Sequence, residues 1–217
     1  MDEGVIWWKR SPPLMQEVQT ALLQYPKLKL LKTGDAFSIQ GEWDVFGESK
    51  FIRSYQIRIH IPDDYPQDVP RVFEIGGEIQ PIPDRHINPD SSACLFAPPQ
   101  RWEKWPPTLG MKEFLDGPVR EFFFSQAYFE LEKKWPFGEW QHGNVGIVEY
   151  YLLKLGLRSI RQLKELLQYL PYASASRQWK CPCNHGKRLK NCHWDKFAEL
   201  RNIIPAQEWD ELKKILK

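Results

Sequence analysis

FIRSYQIRIHIPDDYPQDVPRVFE, residues 51–74, decides how the first half of the chain folds. From Tyr55 onward, Tyr55, Ile57, Ile59 and Ile61 alternate with polar residues, the period of a strand with one buried face. Pro62, Pro66 and Pro70 then break the ladder, because proline fixes φ and has no N–H to donate. RVFEIGG, from Arg71, resumes as a further short strand. Upstream, AFSIQGEWDVF (36–46) reads as another strand, so consecutive strands with short connections predict a meander. Further upstream, PPLMQEVQTALLQYP (12–26) spaces Leu14, Val18, Leu22 and Leu23 along one helical stripe. Pro12 and Pro13 suit its first turn, and the helix ends before Pro26.

Beyond Gly77 the pattern dissolves into EIQPIPDRHINPDSSACLFAPPQRW (78–102), which holds five prolines. Long loops of this kind inside a compact domain are usually functional or disordered. Helical spacing returns in LGMKEFLDGPVREFFFSQAYFEL (109–131), interrupted near Gly117–Pro118. KKWPFGEWQHGNVG (133–146) is an aromatic turn region. GIVEYYLLKLG and LRSIRQLKELLQYLP read as two helices separated near Gly156, and FAELRNIIP and QEWDELKKILK follow as two more segments. The order helix, meander, long loop, helices predicts an α+β fold with an antiparallel sheet backed by helices. A core over residues 1–155 and a helical linker with a small module over 156–217 are the expected domains.

The chain has room for one core domain of about 150 residues and an appendage. Its net charge of +2 gives no strong electrostatic case for nucleic acid. Apolar runs such as Val148 to Leu157 are broken by charges, so no membrane span is expected. MDEGVIWWKRSPP lacks the long apolar region of a signal peptide, and a cytoplasmic location is expected. In a reducing compartment, clustered cysteines favour metal binding or catalysis over disulfides.

CPCNHGKRLKNCH (181–193) offers such a cluster. Cys181, Cys183, Cys192 and His193 supply three sulfurs and an imidazole, a complete tetrahedral set for one structural zinc ion. His185 is a substitute ligand, and chance clustering in a tail is the plain alternative. The unit resembles the SEC-C motif, a C-x-C, eight-residue spacer, C-[CH] zinc module, and the resemblance implies an interaction element. The basic residues of HGKRLKNCHW raise a nucleic-acid-associated zinc protein as a further reading. Neither a zinc-finger helix nor stacking platforms of the usual spacing are evident in the sequence, so nucleic acid is not an expected partner.

Cys94 stands apart, in HINPDSSACLF (86–96). As a free cysteine it is either a buried structural thiol or a nucleophile with polar groups nearby. The order of features around it resembles the ubiquitin-conjugating (UBC-like) enzymes over roughly residues 13 to 130. Pro62, Tyr65, Pro66, Pro70 and Val72 match that family's proline–tyrosine turn. His86, Ile87 and Asn88 stand where it has His-Pro-Asn, Cys94–Leu95 match its active-site pair, and Trp102 or Trp105–Pro106 its tryptophan-x-proline. Ile87 replaces the proline, Phe96 the aspartate after cysteine–leucine, and the step from Asn88 to Cys94 is short. These departures resemble bacterial relatives in CBASS antiphage operons, as does the GxWxHGxxG-like element from Gly138 to Gly146.

The resemblance implies a thioester of a partner protein's C-terminus on Cys94, then transfer to an amine. The partner it suggests is a cGAS-like nucleotidyltransferase, with or without a separate activating enzyme. Free cysteine, with a pKa of about 8.5, is only a few per cent thiolate at pH 7, so Cys94 needs help. His86 is the candidate to lower its pKa or take its proton, Asn88 to donate to the oxyanion, and Asp90 to orient either. His142 is a candidate to enter the site from its own segment. Each has a plainer role: loop cap for His86, turn former for Asn88 and Asp90, aromatic-corner filler for His142. The alternative function is a catalytically inactive UBC-like protein-binding module in which Cys94 is incidental.

Overall fold

The computed structural model describes residues 12–137, 141 and 143–217. They form two compact units. One comprises the described residues within Met1–Phe96 and Lys104–Gly138, the other those within Ala97–Glu103 and Glu139–Lys217. The expected boundary at residue 155 therefore falls earlier, since the helix Asn144–Leu155 packs in the second core. Among the described residues, no helix is long and apolar enough to cross a membrane.

The first unit is α+β, with a four-stranded antiparallel sheet in sequential order. Its strands are β1 (Leu28–Thr33), β2 (Ala36–Gly47), β3 (Lys50–Ile61) and β4 (Arg71–Glu74). β2 and β3 turn over Glu48 and Ser49, both with positive φ, the left-handed pair that matches strand twist in a two-residue hairpin. β1 had no clear period in sequence; it exists because it pairs with β2 from Leu28↔Gly41 to Thr33↔Ala36. At that crossing only glycine fits position 41, where a Cβ would lie 2.0 Å from the Lys27 carbonyl oxygen. The expected alternation in β3 holds: Tyr55, Ile57, Ile59 and Ile61 are all buried.

Helix α1 (Pro12–Leu22) buries Val18 and Ala21 against this core. α2 (Met111–Phe114) runs through a π-turn at Leu115–Val119 into α3 (Arg120–Glu132). Pro118 lies inside that π-turn, so the expected interruption is a local widening of the helix, a common way to accommodate a missing N–H. Glu17 ties the pieces together. Its Oε1 accepts the Met111 N–H at 2.7 Å, and its Oε2 accepts the Tyr65 hydroxyl at 3.0 Å. Trp105 is fully buried beside them, its indole N–H donating to the Gly110 carbonyl at 3.0 Å. Trp102 belongs to the other unit's core.

In the second unit, α4 (Asn144–Leu155) ends at Gly156, whose φ of 69° is the left-handed cap that glycine adopts most readily. α5 (Ile160–Leu167) starts at Ser159, whose Oγ accepts the Gln162 N–H. α6 (Trp194–Ile203) and α7 (Ala206–Ile215) complete it. Tyr150, Tyr151, Leu155, Leu163, Phe197 and Trp209 form the core, and Cys181 and Cys183 are buried with them.

Phe123 on α3 has no exposed surface and lies between Trp43 of β2 and Tyr55 of β3, with ring centroids at 6.2 and 5.0 Å. Phe123→Ala should cost about 3–5 kcal/mol in denaturant unfolding of the first unit, the range for emptying a buried aromatic site.

Candidate metal centre and the Cys94 hairpin

The loop from Glu78 is built on Glu74, whose carboxylate accepts the N–H groups of Gly76, Glu78 and Ile79. A short helical turn at Pro83–Arg85 then leads to His86, held at φ 51° by its N–H donating to the Pro83 carbonyl. Residues 86–94 fold back as a small hairpin. Ile87 bridges Ala93, the Asn88 N–H donates to the Ser92 carbonyl at 2.8 Å, and the Cys94 N–H donates to the His86 carbonyl at 2.8 Å. The Ala93 N–H donates to Val72, hooking the hairpin onto β4. Ile87 and Ala93 are buried, while His86 and Cys94 are half-buried and Asn88 is exposed.

His86 and Cys94 are thus brought together backbone to backbone. The His86 ring packs edge-on against Trp135, with centroids 4.5 Å apart. The Cys94 thiol points its proton at the Phe96 carbonyl, 3.8 Å away. Burial pushes this thiol up from its ordinary pKa, and the Phe96 backbone only partly opposes the rise. The Asn88 amide donates to Ser92 Oγ at 3.0 Å. Asp90 accepts from the Ser92 hydroxyl and N–H and faces Arg71 at 3.6 Å; the Ser92 bonds hold its carboxyl below the usual range. His142 and Gly138 lie outside the described residues.

Two residues missed in the sequence fasten this loop. Arg85, 8% exposed, donates from Nε and Nη2 to Gln126 Oε1 and from Nη1 to Glu130, and it stacks on Phe129. Gln126 in turn donates to the Arg85 carbonyl at 2.7 Å. No local pattern joins Arg85 to a residue 41 positions away.

In the second unit, donor atoms of Cys181, Cys183, Cys192 and His193 all lie within 4.8 Å of one another and could bind a metal ion. Cys183 and Cys192 sulfurs are 3.3 Å apart, and His193 Nδ1 is 3.1 Å from Cys181 and 3.2 Å from Cys192. His193 Nε2 lies 3.1 Å from the Gly156 carbonyl, so donation there leaves Nδ1 free of its proton and aimed at the sulfurs. That is the outer-shell arrangement of a ligating histidine. Burial pushes the Cys181 thiol up to about 12, and three thiolates this close need a cation between them. His185 is exposed and outside the cluster. Gly156, expected as the break between two helices, does end α4, and its contact with His193 is the part that the sequence did not show.

No protein-family model matches the chain, and no curated protein matches it. Among solved structures, the chain is similar to the yeast vps23 UEV domain crystallised in complex with a vps27 PSDP peptide. The two share 13% identity at a TM-score of 0.38, over 58% of this chain and 84% of the other.

Glu130 is held below its ordinary pKa by Arg85 first and Lys133 second. A depressed carboxyl contributes stability that is present above its unfolded pKa and lost as the pH falls through the folded one. Glu130→Gln should therefore lower stability at neutral pH and flatten its fall in acid, read from thermal melts across pH 2–7. For the second unit, Cys183→Ser should release bound metal, and metal affinity should weaken as the pH is lowered, because the thiols must be deprotonated to bind. Elemental analysis at two pH values checks both.

Proposed function

We propose that the first unit is a UBC-like transferase that carries the C-terminus of a partner protein as a thioester on Cys94 and passes it to an amine. The observation that carries this reading is the hairpin that bonds the Cys94 N–H to the His86 carbonyl. Cys94, the one cysteine outside the candidate metal cluster, shares this hairpin with His86 and Asn88, the residues that the family resemblance singles out. In the first step the Cys94 sulfur attacks the incoming thioester carbonyl. Its proton passes to His86 or solvent, and the donor thiol leaves. Asn88 has two amide hydrogens, one given to Ser92, and the second is available to the oxyanion. An amine then attacks the Cys94 thioester, forming the amide and returning the thiol. The partner implied by the resemblance is a cGAS-like nucleotidyltransferase of an antiphage operon, delivered with or without an activating enzyme.

The second unit holds one structural zinc in this reading, through Cys181, Cys183, Cys192 and His193. The donor set fits: a tetrahedral zinc with Zn–S of about 2.3 Å spaces its ligand atoms roughly 3.6–3.8 Å apart, within the spread of the cluster. The ion would cross-link the turn and balance thiolate charge.

A second reading is favoured by the raised Cys94 thiol and by Asp90, whose carboxylate is engaged by Ser92 and Arg71. An idle thiol has no need of activation, and the unit would then serve as a catalytically inactive protein-binding module.

A peptide with a C-terminal Gly-Gly benzyl thioester separates the two. Transfer to Cys94 should give a mass adduct that hydroxylamine removes and Cys94→Ser replaces with a slow oxyester. Asn88→Ala should slow adduct formation on the order of 10²-fold or more, as for loss of an oxyanion donor. His86→Ala should slow it most near neutral pH, with the deficit shrinking as the pH is raised and hydroxide takes over removal of the Cys94 proton. If no hydroxylamine-sensitive adduct forms on Cys94 and Cys94→Ala still captures a co-purified partner, the binding-module reading stands.

A further inference from the structure

The charge of this chain is unevenly spread. From Gly156 to Lys196 there are nine Lys and Arg against two Asp and Glu, whereas the whole chain has 30 against 28. Elsewhere several cations meet carboxylates: Lys27 with Glu42 and Asp44, Arg53 with Glu78, Lys104 with Glu121, Lys112 with Asp116. Arg177, Lys180, Lys187, Arg188 and Lys190 are all exposed, and among the described residues none of them pairs with a carboxylate. An unneutralised cluster of this kind raises the local concentration of anions.

The metal turn gathers these cations on one hairpin. Lys180 bridges Arg188, the Cys181 N–H donates to the Lys187 carbonyl, and the Lys190 N–H donates to the Arg177 carbonyl. Trp179 sits in the same ladder, its carbonyl accepting the Leu189 N–H at 2.9 Å. Its ring is 38% exposed and gathers two tyrosines, Tyr169 at 4.9 Å and Tyr172, itself 58% exposed, at 5.6 Å. Tyr169 is pinned by its hydroxyl donating to the Lys180 carbonyl, and Arg188 is braced by Gln178. The result is an exposed aromatic platform beside a strip of cations that, among the described residues, meet no carboxylate. A duplex would bury its bases away from such rings, and an acidic protein would engage the cations without needing a planar base face on Trp179 and Tyr172. Flexible phosphate backbone with accessible base faces satisfies both halves.

We propose that the second unit binds single-stranded nucleic acid across this hairpin. Bases stack on Trp179 and Tyr172, and phosphates lie along Lys180, Arg188 and Lys190. The inference is independent of Cys94 chemistry. The sequence hid the platform because Trp179 lies in the ligand hairpin and Tyr169 and Tyr172 before it, and they meet only through the fold.

The test titrates fluorescein-labelled oligo(dT) of about a dozen nucleotides with the full metal-loaded chain, followed by anisotropy. Saturable binding at low salt is expected, weakening with salt at a log–log slope of about 0.7 per phosphate neutralised. Trp179→Ala should bind about tenfold or more weakly at unchanged slope. Lys180→Glu with Arg188→Glu should bind more weakly with a shallower slope. Should Trp179→Ala lose its circular dichroism signature, Trp179→Phe retains a ring and must keep most of the affinity, and the charge reversal still decides. The proposal is overturned by no saturable binding at low salt, or by folded Trp179→Ala binding as tightly as the parent. A duplex of the same length binding equally well overturns it too. Poly-glutamate displacing the oligonucleotide at equal charge concentration would assign the surface to acidic proteins instead.

Discussion

The proline-rich loop after β4 has little regular structure to hold it, and Arg85 fastens it to α3. A nearly buried guanidinium survives only if its donors are met, and Gln126 and Glu130 of one helix face meet them. Because Gln126 returns a hydrogen bond to the Arg85 carbonyl, loop and helix are fixed in both directions. The next residue, His86, starts the hairpin that ends at Cys94. Everything proposed for that thiol depends on a loop held from beneath by a buried charge rather than by regular structure.

The hairpin itself is short, and its polar groups are largely spent on one another. Asn88 and Asp90 both serve Ser92, and the thiol proton faces a carbonyl. Such a site is well ordered and, as it stands, holds a thiol and not a thiolate. The binding of a partner, which changes the solvation of the half-buried sulfur, is the natural step at which its reactivity would be set.

The second unit solves a different problem. Its small core includes two cysteines, and its ligand turn leaves a buried thiol whose ionisation needs a counter-charge. The His193–Gly156 contact ties that turn to the end of the helix before it, so an ion bound there would reinforce the helix cap. The same turn carries exposed cations that, among the described residues, meet no carboxylate, beside the buried Cys181 and Cys183.

The sequence alone determined what is local. Period-two alternation located β2 and β3, and proline placed the turn after them and the end of the first helix. Ligand spacing located the Cys3His cluster, because all four donors lie within thirteen residues and a tight turn must bring them together. The lone Cys94 was visible for the same reason, by exclusion from that cluster. Only tertiary structure decided the rest. β1 exists through its pairing with β2, Asn144–Leu155 joins the second core although its apolar stripe would suit either, and Ala97–Glu103 leaves the first unit for the second. His86 against Trp135, Arg85 against Gln126, and Trp179 against Tyr169 are contacts between segments that have no shared period. Burial and hydrogen-bond satisfaction are properties of the assembled core, and no window of sequence contains them.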